Sequence, residues 1–263
     1  MNWIDSHCHL DFEVFNEPLI LNTNLRESGC AHVLVPAISE QYFSRVQKFQ
    51  IDANQHHKDL VYIALGLHPY FLKEHKAPHL ERLDCLLSEH RPMAVGEIGL
   101  DFALPPETHE SQIALFEAQV LLAKKHQLTI VVHARSSHDR VCSILKRHKF
   151  INGGIIHAFS GSFQQAQNYL RLGFVLGLGG ALTYDRALAM HKMVQQLPSS
   201  AYVLETDSPD MAPAFARGQV NTPMNIPKIA QSIANLRGEA LDKVYQDSTD
   251  NFMRVMLPSN DPV

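Results

Sequence analysis

The sequence predicts an α/β fold, a single (β/α)8 TIM barrel, for three reasons. The chain of 263 residues has the typical length of such a barrel, about 250 residues. Eight short apolar runs alternate with helical segments. Most of these runs are continuously apolar, which is typical of parallel strands buried on both faces. An open doubly wound sheet is the competing architecture, but its first strand would be followed by a glycine-rich phosphate loop, and here His7-Cys8-His9 stands in that place.

The eight predicted strands are spread along most of the chain. They span residues 2–7, 31–37, 61–68, 93–100, 128–134, 153–159, 174–180 and 201–207. Helical periodicity is clearest from Glu107 to His126, where apolar residues recur three or four positions apart. The segment from Pro227 to Met256 predicts one or two further helices. Because no repeat and no linker rich in Gly or Ser interrupts this alternation, we expect residues 1–263 to form one barrel domain.

Composition argues against one large class of proteins. With 23 Lys and Arg against 27 Asp and Glu, the net charge of −4 argues against binding through a broad basic surface. A nucleic-acid enzyme stays possible, since bound metal ions would bring positive charge to the site. The segment from Lys124 to Lys149 is the most basic, with seven Lys or Arg and one acidic residue. It predicts a solvated helix face, with a phosphate-attracting rim as the alternative.

The sequence also indicates a compartment. The first residues lack the basic segment and long apolar core of a signal peptide. The apolar runs are shorter than the roughly 20 residues that a membrane span needs. The four cysteines are scattered, without paired CxxC spacing. We therefore expect a cytoplasmic protein with no membrane partner and no obligate protein partner.

Metal-ligating side chains stand at the C-terminal ends of the predicted strands, where barrels of this class place their active sites. Six of the eight strands end on or near such a residue: His7 and His9, His68, Glu97, His133, His157 and Asp207. Of the 16 histidines, these five stand at strand ends, and we assign no role to the other eleven. The joint placement predicts a metal site more strongly than any single residue does.

Each candidate also has a purely structural interpretation. His7 and His9 are two apart in an extended segment, so both leave on one face and can bind one ion, although H-x-H alone is weak evidence. Glu97 and Asp207 lie within or directly after apolar strands, and a buried carboxylate needs a cation or hydrogen-bond donors. Glu97 could find that partner in Arg135 instead. A single histidine after an apolar strand is more often a core residue than a ligand, but four of them beside two carboxylates favour ligation.

Three further residues border the predicted site. His68, in a Gly-x-His-Pro turn, is expected either to contact substrate or to shape the turn. Arg135 is expected either to meet an anionic group of the substrate or to pair with a carboxylate. Asp5 lies on the same strand face as the first two histidines, where it either orients an imidazole or is a buried, hydrogen-bonding residue.

Six ordered motifs resemble those of the TatD family of metal-dependent hydrolases, which belong with the amidohydrolase-like and phosphotriesterase-like barrels. The matching segments are SHCHLDF, GLHP, GEIGLDF, VVHAR, HAFSG and ETDSP, with ARGQVNTPMNIPKIA and DNFMRVM later in the chain. The resemblance extends from about residue 3 to 257. Two places depart from it. Asp210 follows ETDSP where the family often has an aromatic residue, and Ala181-Leu182-Thr183-Tyr184 departs from a common Val-Thr-Phe form. Both lie near the expected substrate mouth, so substrate identity stays open.

The resemblance implies a centre of two divalent cations. It assigns the ligands as follows: His7, His9 and Asp207 to one cation, His133 and His157 to the other, and Glu97 as the bridge. Six ligands of mixed nitrogen and oxygen character are also more than one tetrahedral zinc needs. Imidazole favours Zn, Fe, Ni or Mn, and carboxylates accept Mg or Mn. We therefore expect Zn, Mn or Mg.

The predicted reaction is phosphodiester hydrolysis in DNA or a related nucleic acid, as the resemblance implies. A divalent cation lowers the pKa of its bound water from about 15.7 to about 7, and Asp207 would orient or deprotonate that water. Glu97, as the bridge, is the second residue expected to be essential. Two alternatives stay open. The same site could hydrolyse a carboxyl ester or amide, such as an aminoacyl ester on tRNA. The barrel could also be non-catalytic, although structural zinc sites are usually closed and rich in Cys.

Overall fold

The chain folds into an eight-stranded parallel barrel with helices between the strands. The computed structural model describes residues 2–15 and 17–257. Its strands are β1 (Trp3–Asp5), β2 (Cys30–Pro36), β3 (Val61–Leu65), β4 (Ala94–Asp101), β5 (Thr129–Arg135), β6 (Gly154–Ile156), β7 (Phe174–Leu178) and β8 (Tyr202–Leu204). They pair in chain order from β1 to β8, each parallel to its neighbour. The predicted (β/α)8 architecture is confirmed, and each predicted strand overlaps one observed strand.

Nine α-helices are present in the described part of the chain. They are α1 (Pro18–Glu27), α2 (Phe43–His56), α3 (Ala77–His90), α4 (His109–His126), α5 (His138–Arg147), α6 (Phe163–Arg171), α7 (Leu188–Gln196), α8 (Ile226–Arg237) and α9 (Leu241–Met256). The helix predicted from Glu107 begins two residues later, because Pro106–Thr108 forms a 3₁₀ turn before it. The C-terminal segment contains two helices, as predicted. None of the described helices is long and apolar enough to cross a membrane.

Backbone hydrogen bonds between the two ends of the chain close the barrel at its C-terminal rim. Ser6 N donates to Leu204 O at 2.9 Å. Beyond the strands, Asp207 N donates to His7 O at 2.9 Å, and His9 N donates to Ser208 O at 2.7 Å. The segments that follow β1 and β8 therefore lie side by side at this rim.

The inner layer of the barrel is apolar. Each strand contributes one residue to a buried cluster that also contains residues of α9: Ile4, Leu34, Ala64, Ala94, Val131, Ile155, Val175 and Val203, with Phe252, Val255 and Met256. A larger cluster fills the space between strands and helices. This apolar layer leaves no space for polar side chains inside the barrel.

Candidate metal centre

The six predicted ligand residues lie together at the C-terminal rim. They come from five strands or the segments directly after them: His7, His9, Glu97, His133, His157 and Asp207. Each side chain is less than one fifth exposed. Parallel pairing explains why the six residues lie together, because it brings the same end of every strand to one rim.

The Glu97 carboxylate lies between two groups of imidazoles. Its Oε2 is 3.3 Å from His7 Nε2 and 3.8 Å from His9 Nε2. Its Oε1 is 3.2 Å from His133 Nδ1 and 3.5 Å from His157 Nε2. One oxygen therefore faces each group.

Asp207 faces the first group of imidazoles. Its Oδ1 is 3.5 Å from His7 Nε2 and 3.7 Å from His9 Nε2. The backbone of Asp207 is left-handed, with φ of 59°, a conformation that costs a non-glycine residue about 1–2 kcal/mol. The hydrogen bonds of Asp207 N to His7 O and of Asp210 N to Asp207 O support that turn.

The pKa values of the two carboxyl groups shift in opposite directions. Burial raises the pKa of Asp207 to about 7, and the Glu97 charge adds to this effect. Burial also acts to raise the pKa of Glu97, but the surrounding imidazoles of His68, His157 and His7 keep it well below its usual range. Glu97 is therefore ionised at neutral pH.

The pKa values of the imidazoles also shift in both directions. Burial lowers the pKa of His9 to about 4 and that of His7 well below its usual range. Burial also acts to lower the pKa of His157, but Asp207 and Glu97 outweigh it and raise that pKa to about 10. His7 and His9 are therefore neutral at pH 7, the form that binds a cation, whereas His157 would bind one only with release of its proton.

The donor set fits divalent cations. Neither ring nitrogen of His7 makes a hydrogen bond within the described residues, although His7 is fully buried. Three groups of three donors have ligand atoms within 4.8 Å of one another: His7, His9 and Asp207; His7, Glu97 and His157; His68, Glu97 and His133. Imidazole nitrogens and carboxylate oxygens are the ligands of Zn and Mn, and carboxylates also bind Mg. A cation would satisfy Nε2 of His7, the nitrogen that faces Glu97 and Asp207, and would balance the Glu97 charge.

Three of the imidazoles have an acceptor near their second nitrogen. His9 Nδ1 is 3.2 Å from Pro36 O, and His133 Nε2 is 3.3 Å from Asp101 Oδ2. His157 Nδ1 is 3.4 Å from Glu205 Oε1. The hydrogen bonds of His9 and His133 fix which nitrogen carries the proton and so leave the other free for a cation.

Sequence reasoning gave no role to Asp101 or Glu205. Both belong to motifs that were recognised, and both are carboxylates within or directly after apolar strands, which is the signal that identified Glu97. Glu205 is 1% exposed, and a Cβ at Gly177 of β7 would overlap its Oε2. The glycine thus makes room for this carboxylate beside His157.

Asp5 connects the first and last strands. Its Oδ1 accepts hydrogen bonds from His7 N at 3.2 Å and Thr206 N at 3.0 Å, and its Oδ2 accepts one from Thr206 Oγ1 at 2.5 Å. Burial raises the pKa of Asp5 to about 8. Asp5 contacts backbone and hydroxyl groups but no imidazole nitrogen, so of its two predicted interpretations the buried, hydrogen-bonding residue agrees with the structure.

His68 lies inside the centre and is 8% exposed. Its Nδ1 accepts a hydrogen bond from Tyr70 N at 3.1 Å, and its Nε2 is 3.2 Å from Glu97 Oε1. Burial lowers the pKa of His68, so the ring is neutral at pH 7. A neutral ring that accepts at Nδ1 has its proton on Nε2, which makes His68 a donor toward Glu97 rather than a lone-pair ligand.

Arg135 stays outside the centre. Its side chain is 66% exposed, and Nη1 lies 3.8 Å from Asp101 Oδ2. The carboxylate that it approaches is therefore Asp101, and not Glu97 as the sequence had left open. The guanidinium remains at the mouth of the site, where it lines a cavity.

Two cavities meet at the centre, and both are lined by His133, His157 and Asp207. One has a volume of about 400 Å³ and opens toward the loops after β7 and β8. The other has a volume of about 360 Å³ and opens past Phe12 and Tyr70. A ligand of nucleotide size can therefore reach the Asp207 carboxylate from either side.

Comparison with known proteins gives a family match over nearly the whole chain. The family described as TatD related DNase matches residues 4–256. An uncharacterized metal-dependent hydrolase, YjjV of Escherichia coli K12, is 37% identical over 254 residues, which cover 95% of each chain. The 3'-5' ssDNA/RNA exonuclease TatD of Pantoea ananatis is 28% identical over 236 residues, 88% of this chain and 89% of that one.

Solved structures agree with the sequence comparison. The crystal structure of YjjV, a TatD homolog from Escherichia coli K12, superposes with a TM-score of 0.89 at 35% sequence identity. The superposition covers 96% of this chain and 97% of that one. A TatD family hydrolase from Entamoeba histolytica, at 20% identity and a TM-score of 0.84, shares the fold.

Proposed function

Because the chain belongs to the TatD family of metal-dependent hydrolases, we propose that it hydrolyses phosphodiester bonds of nucleic acid with two divalent cations. The observation that supports this best is the Glu97 carboxylate, whose Oε2 is 3.3 Å from His7 Nε2 and whose Oε1 is 3.2 Å from His133 Nδ1. A relative from Pantoea ananatis has the name of an ssDNA/RNA exonuclease, which favours a nucleic-acid substrate.

The donors divide between two cations, for which Zn, Mn or Mg are the candidates. His7, His9 and Asp207 would hold the first, together with Glu97 Oε2. His133 and His157 would hold the second, together with Glu97 Oε1. Bound there, the cations would lower the pKa of water and polarise the scissile phosphoryl group.

Asp207 is the residue that we expect to position the attacking water. Its Oδ1 faces His7 and His9, and no described hydrogen bond occupies its Oδ2. The carboxylate also lines both cavities, so it can reach a water beside the substrate. Asp207 Oδ2 would then accept the proton of that water.

His68 and Arg135 would act on the substrate. The Nε2–H of His68 points at Glu97 Oε1, and once a cation holds that oxygen the N–H would donate instead to an oxygen of the phosphodiester. Arg135 at the mouth would attract the anionic backbone, since its side chain is mostly exposed.

A substrate panel tests this function. We would incubate the metal-loaded protein with bis-p-nitrophenyl phosphate, single-stranded DNA, RNA, a carboxyl ester and an amide. We expect hydrolysis of the phosphodiester and of single-stranded nucleic acid. Glu97→Ala and Asp207→Ala should each abolish turnover, with an unchanged circular dichroism spectrum.

The control is Glu27→Ala, which changes an exposed carboxylate at the end of α1 that makes no ion pair within the described residues. It should keep full activity. Hydrolysis of the ester or amide alone would replace the proposal with the carboxyl-ester alternative. Activity retained in either of the two alanine variants of the centre would refute the assigned roles.

A further inference from the structure

A groove continues from the metal centre toward the loops after β7 and β8. The cavity of about 400 Å³ beside His157 and Asp207 adjoins a second, open cavity of about 660 Å³. Four residues line both: Ser160, Ala181, Met190 and Met211. A linear ligand whose reacting group lies at the centre would therefore extend into the second cavity.

The outer part of this groove presents an aromatic ring and a cation. The Arg186 guanidinium lies over the ring of Tyr184, with Cζ 5.3 Å from the ring centroid. Within residues 2–15 and 17–257, no carboxylate lies within 4.0 Å of Arg186 and its side chain makes no hydrogen bond. Tyr184 Oη donates to Ala212 O at 3.0 Å, which ties the loop after β7 to the loop after β8. The ring is thus fixed in the wall of the groove, with an unneutralised charge above it.

The two exits from the centre differ in charge. The exit past Phe12 and Tyr70 is lined by the carboxylate of Asp210. The groove toward Tyr184 is lined by Arg135 and Arg186, and its carboxylates are Glu205, which is 1% exposed, and Asp207, which lines both exits. A polyanion that reaches the centre is therefore favoured in the groove with the two arginines over the exit with Asp210.

On the basis of the proposed function, we propose that this groove binds the continuing strand of a single-stranded nucleic acid. Arg186 contacts a backbone phosphate next to the one at the centre, and Tyr184 with the guanidinium above it forms a stacking surface for a base. Apolar walls from Met190 and Met211 suit the base faces between these points. This combination of cation and aromatic ring is the usual way in which proteins hold single strands without reading their sequence.

Arg186→Ala and Tyr184→Ala test the groove. We would compare a single-stranded oligothymidine, which fills it, with bis-p-nitrophenyl phosphate, which occupies the centre alone. Both variants should raise KM for the oligothymidine about 5- to 150-fold, the range expected for losing one stacked base. Arg186→Ala should also reduce the slope of log affinity against log salt by about 0.7, the value for one phosphate on a single strand. Hydrolysis of the small phosphodiester should stay within about twofold of wild type.

Two matched variants serve as controls. Arg171→Ala removes an exposed arginine at the end of α6, where its only side-chain partner in the described chain is Asn168. It should leave both substrates unaffected. Tyr184→Phe keeps the ring and removes only the hydroxyl that donates to Ala212, so it should raise KM for the oligothymidine much less than Tyr184→Ala does.

The outcomes distinguish a failure of the groove proposal from a failure of the proposed function. If Arg186→Ala behaves like Arg171→Ala on the oligothymidine, or lowers hydrolysis of the small substrate to the same degree, the groove proposal is overturned. If the wild type hydrolyses neither substrate, the proposed function fails, and fluorescence anisotropy of the metal-loaded protein with a labelled phosphorothioate oligothymidine still measures the groove. Weaker binding by Arg186→Ala than by Arg171→Ala would then support the groove, and equal binding would overturn it.

Discussion

Gly177→Ala tests whether the position of Glu205 determines that of His157. A Cβ at residue 177 would overlap Glu205 Oε2 and lie 2.9 Å from its Oε1. The carboxylate must therefore move, although Glu205 is 1% exposed and has no solvent to move into. Moving it breaks the hydrogen bond that Ala158 N donates to Oε1 at 2.6 Å. The movement also takes Glu205 Oε1 away from His157 Nδ1, from which it is now 3.4 Å distant.

The expected loss of stability comes from two effects. Overpacking a buried site costs about 1–3 kcal/mol, and losing a hydrogen bond to a charged group costs about 1.5–3 kcal/mol. We therefore expect the free energy of unfolding to fall by about 2.5–6 kcal/mol. At about 2–4 °C per kcal/mol for a chain near this size, Tm should fall by roughly 5–24 °C. Metal affinity should fall about 10- to 100-fold, as is usual when the outer partner of a ligating imidazole is lost.

Thermal unfolding measures the loss of stability, and calorimetric metal titration measures the loss of metal affinity. Gly238→Ala is the control, because residue 238 has φ of 65° and no atom within 4 Å of its added Cβ. It should cost only the backbone strain of about 1–2 kcal/mol and leave metal affinity unchanged. The double variant with Glu205→Ala is decisive, since it removes the atoms that the new Cβ meets. In that background Gly177→Ala should cost less than about 1 kcal/mol, and fully additive losses would refute the reasoning.

Two further predictions concern protons in the centre. In the chelated protein, stability should fall as pH rises from about 6.5 to 8, because the folded state still holds protons on Asp207 (pKa about 7) and Asp5 (pKa about 8) that the unfolded chain has released. Mn²⁺ should therefore raise Tm more at pH 8 than at pH 6, and an equal rise would contradict this. His68→Gln, which keeps an N–H donor, should retain more activity than His68→Ala, and both should bind as much metal as wild type by elemental analysis. Loss of metal from either variant would identify His68 as a ligand.

The convergence of the metal-site candidates was predictable because topology determines it. In a parallel barrel every strand has the same direction, so residues that end different strands meet at one rim whatever their separation in sequence. His7, His133 and Asp207 could be placed together on that argument alone. No knowledge of loop conformation was needed.

The pairing of groups within the centre was not predictable in the same way. A carboxylate in an apolar strand signals that a partner exists but does not say which. From the sequence, Arg135 could meet an anionic group of the substrate or pair with a carboxylate such as Glu97, and only the structure identifies Asp101 as the carboxylate that it approaches. The role of His68 depends on a hydrogen bond from the backbone of Tyr70, which is a property of the turn and not of the residue type.

The candidate centre and the closure of the barrel depend on the same contacts. Asp5 accepts a hydrogen bond from Thr206 N, 201 positions later in the sequence, and His7 O accepts one from Asp207 N beside it. The two histidines after β1 therefore meet Asp207 only when the last strand docks on the first. A cation that binds His7, His9 and Asp207 would bind the closed barrel and not the open chain. Its binding free energy would therefore add directly to the stability of the contact between β1 and β8. We expect metal affinity and barrel closure to change together in any variant that weakens the contact between β1 and β8.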